Sequence, residues 1–586
     1  MSNYSHMFKV VRFPTTPSKD QKPGTSGLRK KVSIFRQQQY LANFVQSMFD
    51  SLPDIQGKTL VLGGDGRFYN SKAIRIITRM AAANGVGKLL IGKDGLLSTP
   101  AVSAIIRQRK LYGGIILTAS HNPGGADEDF GIKYNVSNGG PALENLTNQF
   151  YENSQRISSY QIAMHIDYPD QEDPFENTLR RIHQQGISDT YTCQETGNTF
   201  EIEIISSVDD YLHLMKNLFD FNQLKQFASR SDFSMLLNSM NGVTGIYTRR
   251  IFVEELGLPK EYLMNDTPKE DFGGHHPDPN LTYAHDLVEL CDPKKNKRAP
   301  VFAAAFDGDG DRCMILGTGF FVSPADSLAV IAANADCIPH FRSQKLKGVA
   351  RSMPTAAAVD FVAEKLNISC YETPTGWKFF GNLMDADLAQ ICGEESFGLG
   401  SNHIREKDGI FTALCWLSII SSKNEKQTIG SLISVEKIVM QHWETFGRNF
   451  FSRYDYDHCK APAVSKLLEH VRELQTQTMK QGGQLLDYPV KLRLADSFTY
   501  IDPVDHSKTE NQGYRFVFED NSRFVLRLSG TSSSDVTIRM YFERYTKDVS
   551  LFDHPVEQVL RPVIDIALKS LKIEQILEKS QPDVIT

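Results

Sequence analysis

Residues 118–125 read Thr118-Ala-Ser-His-Asn-Pro-Gly-Gly125, directly after the apolar run Ile115-Ile116-Leu117. The run reads as a buried strand, and Asn-Pro-Gly-Gly forces the chain to turn. Ser120 is therefore expected at a strand-to-loop corner, with its hydroxyl near the surface. A serine placed there can act as a nucleophile or carry a phosphate. It can equally be an ordinary residue capping a strand end. The octapeptide alone leaves both readings open.

Outward from this corner the chain alternates. Thr59–Leu62 reads as a strand and Ser71–Asn84 as an amphipathic helix. Lys88–Ile91 is the next strand and Thr99–Arg109 the next helix, and Ile115–Leu117 completes a β-α-β-α-β series. That rhythm predicts a mixed or parallel sheet covered by helices. It recurs at Phe233–Leu237 with a helix over Tyr247–Leu256, at Val301–Phe306, and at Gly348–Arg351 with a helix over Thr355–Lys365. Polar, acidic residues fill 154–198, which read as a surface insertion or an interdomain connection. The rhythm changes near the C-terminus. Tyr514–Phe518, Arg523–Leu528 and Val536–Tyr541 are joined by short turns, which predicts an antiparallel meander with a helix over Pro555–Leu571 packed on it.

The chain has 586 residues, with 41% hydrophobic and 23% charged residues, as a globular protein of about four domains would have. A net charge of −6 without a concentrated basic patch argues against a nucleic-acid binder. The 8 cysteines are dispersed and form no C-x-x-C pair, which argues against zinc knuckles and thioredoxin-like chemistry and fits a reducing compartment. No signal peptide or apolar run of membrane-spanning length is visible, so a cytoplasmic protein is expected.

Asp307-Gly-Asp-Gly-Asp-Arg312 lies between two apolar strands. Three carboxylates at i, i+2 and i+4 can converge on one cation where glycines let the backbone curl, and hard oxygen ligands suit Mg²⁺. An EF-hand is excluded, because its sixth position is Arg312 and its twelfth Thr318. Arg527-Leu-Ser-Gly-Thr-Ser-Ser533 offers N–H groups, hydroxyls and a guanidinium suited to a phosphate, and Arg539 on the next strand could add a second. Gly393-Glu-Glu-Ser-Phe-Gly398 suits sugar hydroxyls, and Gly24-Thr-Ser-Gly-Leu-Arg29 brings a further arginine. Gly63-Gly-Asp-Gly-Arg67 invites a dinucleotide reading, but position 69 is tyrosine where that fingerprint needs glycine.

These segments, together with FGIKYN (130–135), HPDPNLTYA (276–284), TPTGWKFFGNLMDA (373–386), NHIREKDG (402–409) and GRNFF (447–451), occur in the order found in the α-D-phosphohexomutase superfamily. The chain resembles its long phosphoglucomutase branch, including the parafusin-like members, over nearly its whole length. The resemblance implies an α/β protein of four domains around a central cleft: three related α/β domains with mixed sheets, at 1–206, 207–322 and 323–440, and a C-terminal α+β domain at 441–586. It implies interconversion of glucose 1-phosphate and glucose 6-phosphate through a phosphoserine and a glucose 1,6-bisphosphate intermediate. Ser120 would be the phosphoserine, with Mg²⁺ held by Asp307, Asp309, Asp311 and a phosphoserine oxygen. Arg312 would contact the transferring phosphoryl group. Arg29, His121 and Lys133 match residues lining the phosphoserine. Thr375, Gly376, Glu394 and Ser396 match the sugar-binding loops, and Lys407 matches a lysine at the substrate. Arg527, Ser529, Gly530, Thr531 and Arg539 match a distal phosphate clamp. Partners would be small sugar phosphates, with no nucleic acid, no integral membrane segment and a monomer or weak dimer. The alternative is a scaffold or secretory phosphoprotein on the same fold, with weak or no mutase activity.

Three places depart from the family pattern. Ala126-Asp-Glu-Asp129 is more acidic than usual and is expected to weaken the approach of a phosphate to Ser120. Ser532 replaces a glycine in the distal loop, and Asn241 stands where histidine is common.

Overall fold

In the computed structural model, which describes residues 6–24, 26–166, 173–529 and 535–586 (for Ser529 and Asp535 the backbone only), four main sheets follow one another along the chain, with a small two-stranded sheet at Tyr500–Ile501 and Lys508–Thr509. The first contains β1 (Met7–Pro14), β2 (Leu28–Lys31), β3 (Thr59–Gly64), β4 (Lys88–Leu96), β5 (Gly113–Leu117), β6 (Asp129–Val136), β7 (Ser159–His165), β8 (Ser188–Cys193) and β9 (Thr199–Ile205). Its strand order is β2-β6-β5-β3-β4-β9-β8-β1-β7. The β5-β3-β4-β9 centre is parallel, and β6 joins antiparallel to β5. β3 and β5 are buried almost end to end because helices cover both faces, with all five residues of β5 buried.

The polar stretch 154–198 is not an insertion or a connection. β7 pairs with β1 from Phe8↔His165 to Pro14↔Ser159, and β8 pairs with β9, so this stretch supplies two strands of the first sheet. Its polarity has a physical reason. β7 ends the sheet and β8 has one half-exposed face, so neither strand carries a continuous apolar run. Residues 167–172 of its acidic motif lie outside the described residues.

The second sheet holds five strands within 235–322 and the third holds four within 348–401. Each mixes parallel and antiparallel pairs. The helix expected over 247–256 runs as Thr244–Thr248 and continues as a π-helical turn, Arg249–Glu255. The fourth sheet is antiparallel, with Tyr514–Phe518, Arg523–Ser529 and Asp535–Thr546 as its central meander. Helices Ala461–Lys480 and Val556–Leu571 bury Leu467, Val471, Leu560 and Val563 against it. The second and third units share one apolar core, in which Trp416 is fully buried. Among the described residues, no helix is long and apolar enough to cross a membrane.

The third and fourth units meet through buried charge as well as apolar contact. Arg523 pairs with Glu543 at 2.6 Å and donates to the Met353 carbonyl at 2.9 Å, and the Ala357 amide donates to Glu543 at 2.8 Å. Met353, Phe379, Phe498, Tyr500, Val525 and Tyr541 pack beside that network.

Candidate active site

Three local structures converge on Ser120. β5 delivers it, and its backbone takes a left-handed conformation, φ +53°. For a residue with a Cβ that costs roughly 1–2 kcal/mol, so neighbouring groups must hold it. They do. The Ser120 amide donates to Thr118 Oγ1 at 2.7 Å, and the Ser120 carbonyl accepts from Arg67 Nη2 at 2.8 Å. Asp65 ties both supports together, accepting from Thr118 Oγ1 at 2.6 Å and from Arg67 Nε at 2.9 Å. Asp65 and Arg67 come from the Gly-Gly-Asp-Gly-Arg stretch, whose part in the site the sequence reading missed. Arg67 and Ser120 lie 53 positions apart, so no local pattern links them.

The sequence placed the Ser120 hydroxyl near the surface, and the structure corrects this. Ser120 is 2% exposed, because the 307–311 loop of the second unit closes over it. Ser120 Oγ donates to Asp307 Oδ2 at 2.9 Å. The loop can come this close because residue 308 is glycine: a Cβ there would lie 2.8 Å from the Ser120 carbonyl oxygen.

Strands Phe302–Phe306 and Cys313–Gly317 pair antiparallel and present Asp307, Asp309 and Asp311 at their connection. One carboxylate oxygen from each lies within 4.8 Å of the others, and all three residues are buried. The helix Thr99–Arg109, capped by Ser98 and started by Pro100, brings the Thr99 hydroxyl to Asp309 Oδ2 at 2.7 Å. Asp309 Oδ1 and Asp311 Oδ1 are buried without a hydrogen-bond partner. Burial, with Asp309 and Asp311 adding to it, pushes the Asp307 carboxyl well above the usual range. Buried, partnerless carboxylate oxygens crowded together fit a cation, which removes both their desolvation and their repulsion. The acidic cluster therefore suits a metal ion bound through oxygen.

The remaining groups close around this centre. Arg29 on β2 stands opposite Gly131 on β6, which also carries Lys133. Lys133 Nζ pairs with buried Glu406 Oε1 at 3.1 Å. Arg312 donates its amide to Asp307 Oδ1 at 3.0 Å and directs Nη1 at Asp278 Oδ1, 3.4 Å away. Its Nε is buried without a hydrogen bond, as is that of Arg29, so both guanidiniums keep unused donors. His121 Nδ1 is 3.4 Å from Ser120 Oγ. Burial, then Arg312 and Arg29, hold its pKa well below the ordinary value, leaving a neutral imidazole at pH 7. Lys407 Nζ reaches Asp311 Oδ2 at 3.1 Å. Gly398 makes room for it, since a Cβ there would be 2.3 Å from Lys407 Cδ.

The 393–398 loop joins the same centre through the Arg312↔Gly398 bridge. Glu394 Oε1 accepts from the Gly376 amide at 3.1 Å, and Thr375 Oγ1 is buried without a partner. Ser396 is half-buried on the turn of the 393–398 loop. The expected acid near Ser120 is partly offset: Lys31 pairs with Glu128 at 2.9 Å and with Asp129 at 3.2 Å, while Asp127 faces solvent. Asn241, in a left-handed conformation with φ +54°, donates to the Thr267 carbonyl at 2.9 Å.

Arg527 and Arg539 are directly opposed on antiparallel strands of the fourth unit. Like charges opposed in this way repel unless an anion lies between them. Arg527 Nη1 donates to Tyr541 OH at 3.2 Å, and Arg539 Nε stands 3.4 Å from Asp455 Oδ2 without a hydrogen bond. Gly530, Thr531 and Ser532, with the Ser529 side chain, lie outside the described residues.

A four-domain α/β chain with a buried serine at a triple-aspartate loop defines the phosphohexomutase class. Comparison with known proteins bears this out. Three models for phosphoglucomutase/phosphomannomutase α/β/α domains I, II and III match residues 20–161, 209–318 and 324–444, and a phosphoglucomutase-1 C-terminal domain matches 448–583. The chain belongs to the phosphoglucomutase/phosphomannomutase family. It is 51% identical to a cytoplasmic phosphoglucomutase of Pisum sativum, over 99% of this chain and 100% of that one. It is 49% identical to a chloroplastic phosphoglucomutase 1 of Marchantia polymorpha, over 99% and 85%. The crystal structure of the exocytosis-sensitive phosphoprotein pp63/parafusin, a phosphoglucomutase from Paramecium, in its open form, superposes with a TM-score of 0.90 at 47% identity, covering 99% of both chains.

Proposed function

We propose that this chain interconverts glucose 1-phosphate and glucose 6-phosphate, with Ser120 as the phosphoryl carrier. The observation that carries the reading is the Ser120–Asp307 contact at 2.9 Å beside two partnerless carboxylate oxygens. It joins a hydroxyl nucleophile to a cation site in one buried centre. The full-length relatives named phosphoglucomutase support the enzyme over a scaffold phosphoprotein.

Phosphorylated Ser120 gives its phosphoryl group to the free hydroxyl of the sugar phosphate, breaking the Ser120 Oγ–P bond and forming glucose 1,6-bisphosphate. The bisphosphate turns over, and its C1 phosphoryl group returns to Ser120: the sugar O1–P bond breaks, the Ser120 Oγ–P bond re-forms, the serine proton passes to O1, and glucose 6-phosphate leaves. Transfer of this kind depends on in-line positioning and charge neutralisation. Asp307, Asp309 and Asp311 would hold Mg²⁺, which supplies Lewis-acid neutralisation of the phosphoryl oxygens when bound. Arg29 and Arg312, whose Nε atoms are buried without a partner, would offer donors to the transferring group, with Lys133 adding positive charge. Lys407 stands at the sugar hydroxyl that exchanges its proton, and His121 lines the same wall. Thr375, Gly376, Glu394 and Ser396 orient the sugar. Arg527, Ser529, Gly530, Thr531 and Arg539 hold the phosphate that is not being transferred. Burial of Ser120 keeps water from the phosphoserine. We further propose a cytoplasmic monomer or weak dimer whose partners are sugar phosphates.

The test is a coupled assay of glucose 1-phosphate conversion with Mg²⁺ and catalytic glucose 1,6-bisphosphate. Turnover in the intact protein and none in Ser120→Ala supports the reading. No turnover in the intact protein overturns it.

A further inference from the structure

Three consecutive residues, Glu406-Lys407-Asp408, reach three different parts of the molecule. Glu406 accepts from Lys133 Nζ at 3.1 Å and from Asn135 Nδ2 at 2.9 Å in the first domain. Lys407 reaches the acidic loop of the second domain at Asp311. Asp408 touches neither. It is fully buried and accepts from Tyr211 OH at 2.6 Å and from the Phe411 amide at 2.9 Å, and it pairs with His403 Nε2 at 3.0 Å.

Each partner of Asp408 is itself fixed. His403 Nδ1 lies 2.7 Å from Ser401 Oγ, and its ring stacks on Phe411 at 4.2 Å. Ser401, His403 and Asp408 form a serine–histidine–aspartate row in which all three residues are buried. Tyr211, on the helix Asp209–Leu218, meets Tyr247 edge to face at 5.5 Å. Tyr247 OH accepts from the Ser98 amide at 3.0 Å, and the next residue, Thr99, holds Asp309. The contacts thus run from Asp309 through Ser98, Tyr247, Tyr211 and Asp408 to Lys407, and back to Asp311.

Burying a carboxylate is costly unless several donors satisfy it, and a helix cap needs only one acceptor. Asp408 has three partners, drawn from two domains. We propose that Asp408 is a positioning residue: held between Tyr211 and His403, it fixes the backbone that aims Lys407 at the Ser120 centre. This rests on the reading of Lys407 as the group at the sugar hydroxyl that exchanges its proton.

The test is a kinetic cycle over Asp408→Asn, Tyr211→Phe, Lys407→Ala and the double variant Lys407→Ala/Asp408→Asn, each checked for folding by circular dichroism. Asp408→Asn should lower kcat about 100-fold with KM within about threefold, as a misplaced reacting group does. Tyr211→Phe should lower kcat about 10-fold, because only one of the three anchors is lost. The double variant should be no slower than Lys407→Ala alone, since an unaimed lysine and an absent one are equivalent. The proposal is overturned if the Asp408→Asn loss multiplies the Lys407→Ala loss, or if Asp408→Asn and Tyr211→Phe both keep wild-type kcat. Full activity in Lys407→Ala beside an inactive Ser120→Ala overturns it too, and locates the error in the role of Lys407. If Asp408→Asn does not fold, Tyr211→Phe, which removes one hydroxyl, takes its place in the same cycle.

Discussion

Ser120 and Arg539 are both expected to meet a phosphate, yet one is 2% exposed and the side chain of the other 33%. Around Ser120, hydrogen bonds fix both the amide and the carbonyl of a left-handed residue, and three domains supply the surrounding side chains. Among the described residues of the fourth domain, Arg539 has Asp455 at 3.4 Å, the opposed Arg527 and Tyr541 beside it. The contrast matches two tasks. A reacting phosphoryl group needs preorganised, water-free surroundings, because misplacement by an ångström costs orders of magnitude in rate. A phosphate that is only gripped, and whose sugar must present either end, is served by half-buried guanidiniums less tightly held than the groups around Ser120.

The comparison breaks hardest at Ser120. Ser120→Ala should lower kcat by about 10⁴-fold or more, measured in the coupled assay, because the carrier itself is gone. Asp309→Asn should cost about 10³-fold, and chelation with EDTA should stop the wild-type protein until Mg²⁺ is returned. Substitution at the distal end should act differently. Arg539→Ala should raise KM about 10–100-fold and leave kcat within about threefold, since the lost grip is equal in ground and transition states. The smallest effect sharpens the picture near Ser120. Lys31→Ala frees Glu128 and Asp129, and KM should rise about twofold at low salt and less at high salt, as the exposed pair is screened.

The residues of the reacting end were legible because they stand in short motifs at the ends of apolar strands: Ser120 after β5, and Asp307 to Asp311 between two strands. What joins them was not. Lys133 and Glu406 are 273 positions apart, and Tyr211 and Asp408 are 197 apart, so no local pattern links them. The burial of Ser120 was misread for the same reason, since the loop that covers it belongs to another domain. Residues 154–198 were misread because β7 lies at the sheet edge and β8 is half wet, where strand sequences turn polar. Asp65 and Arg67 were passed over because only the packed structure shows that they brace the serine.

The central claim is that Ser120 carries the phosphoryl group. Incubation with ³²P-labelled glucose 1,6-bisphosphate and Mg²⁺, followed by peptide mapping, tests it most directly. The account predicts label on Ser120 that chases into glucose 6-phosphate when unlabelled glucose 1-phosphate is added. Label on another residue, or turnover without any labelled protein, would contradict it.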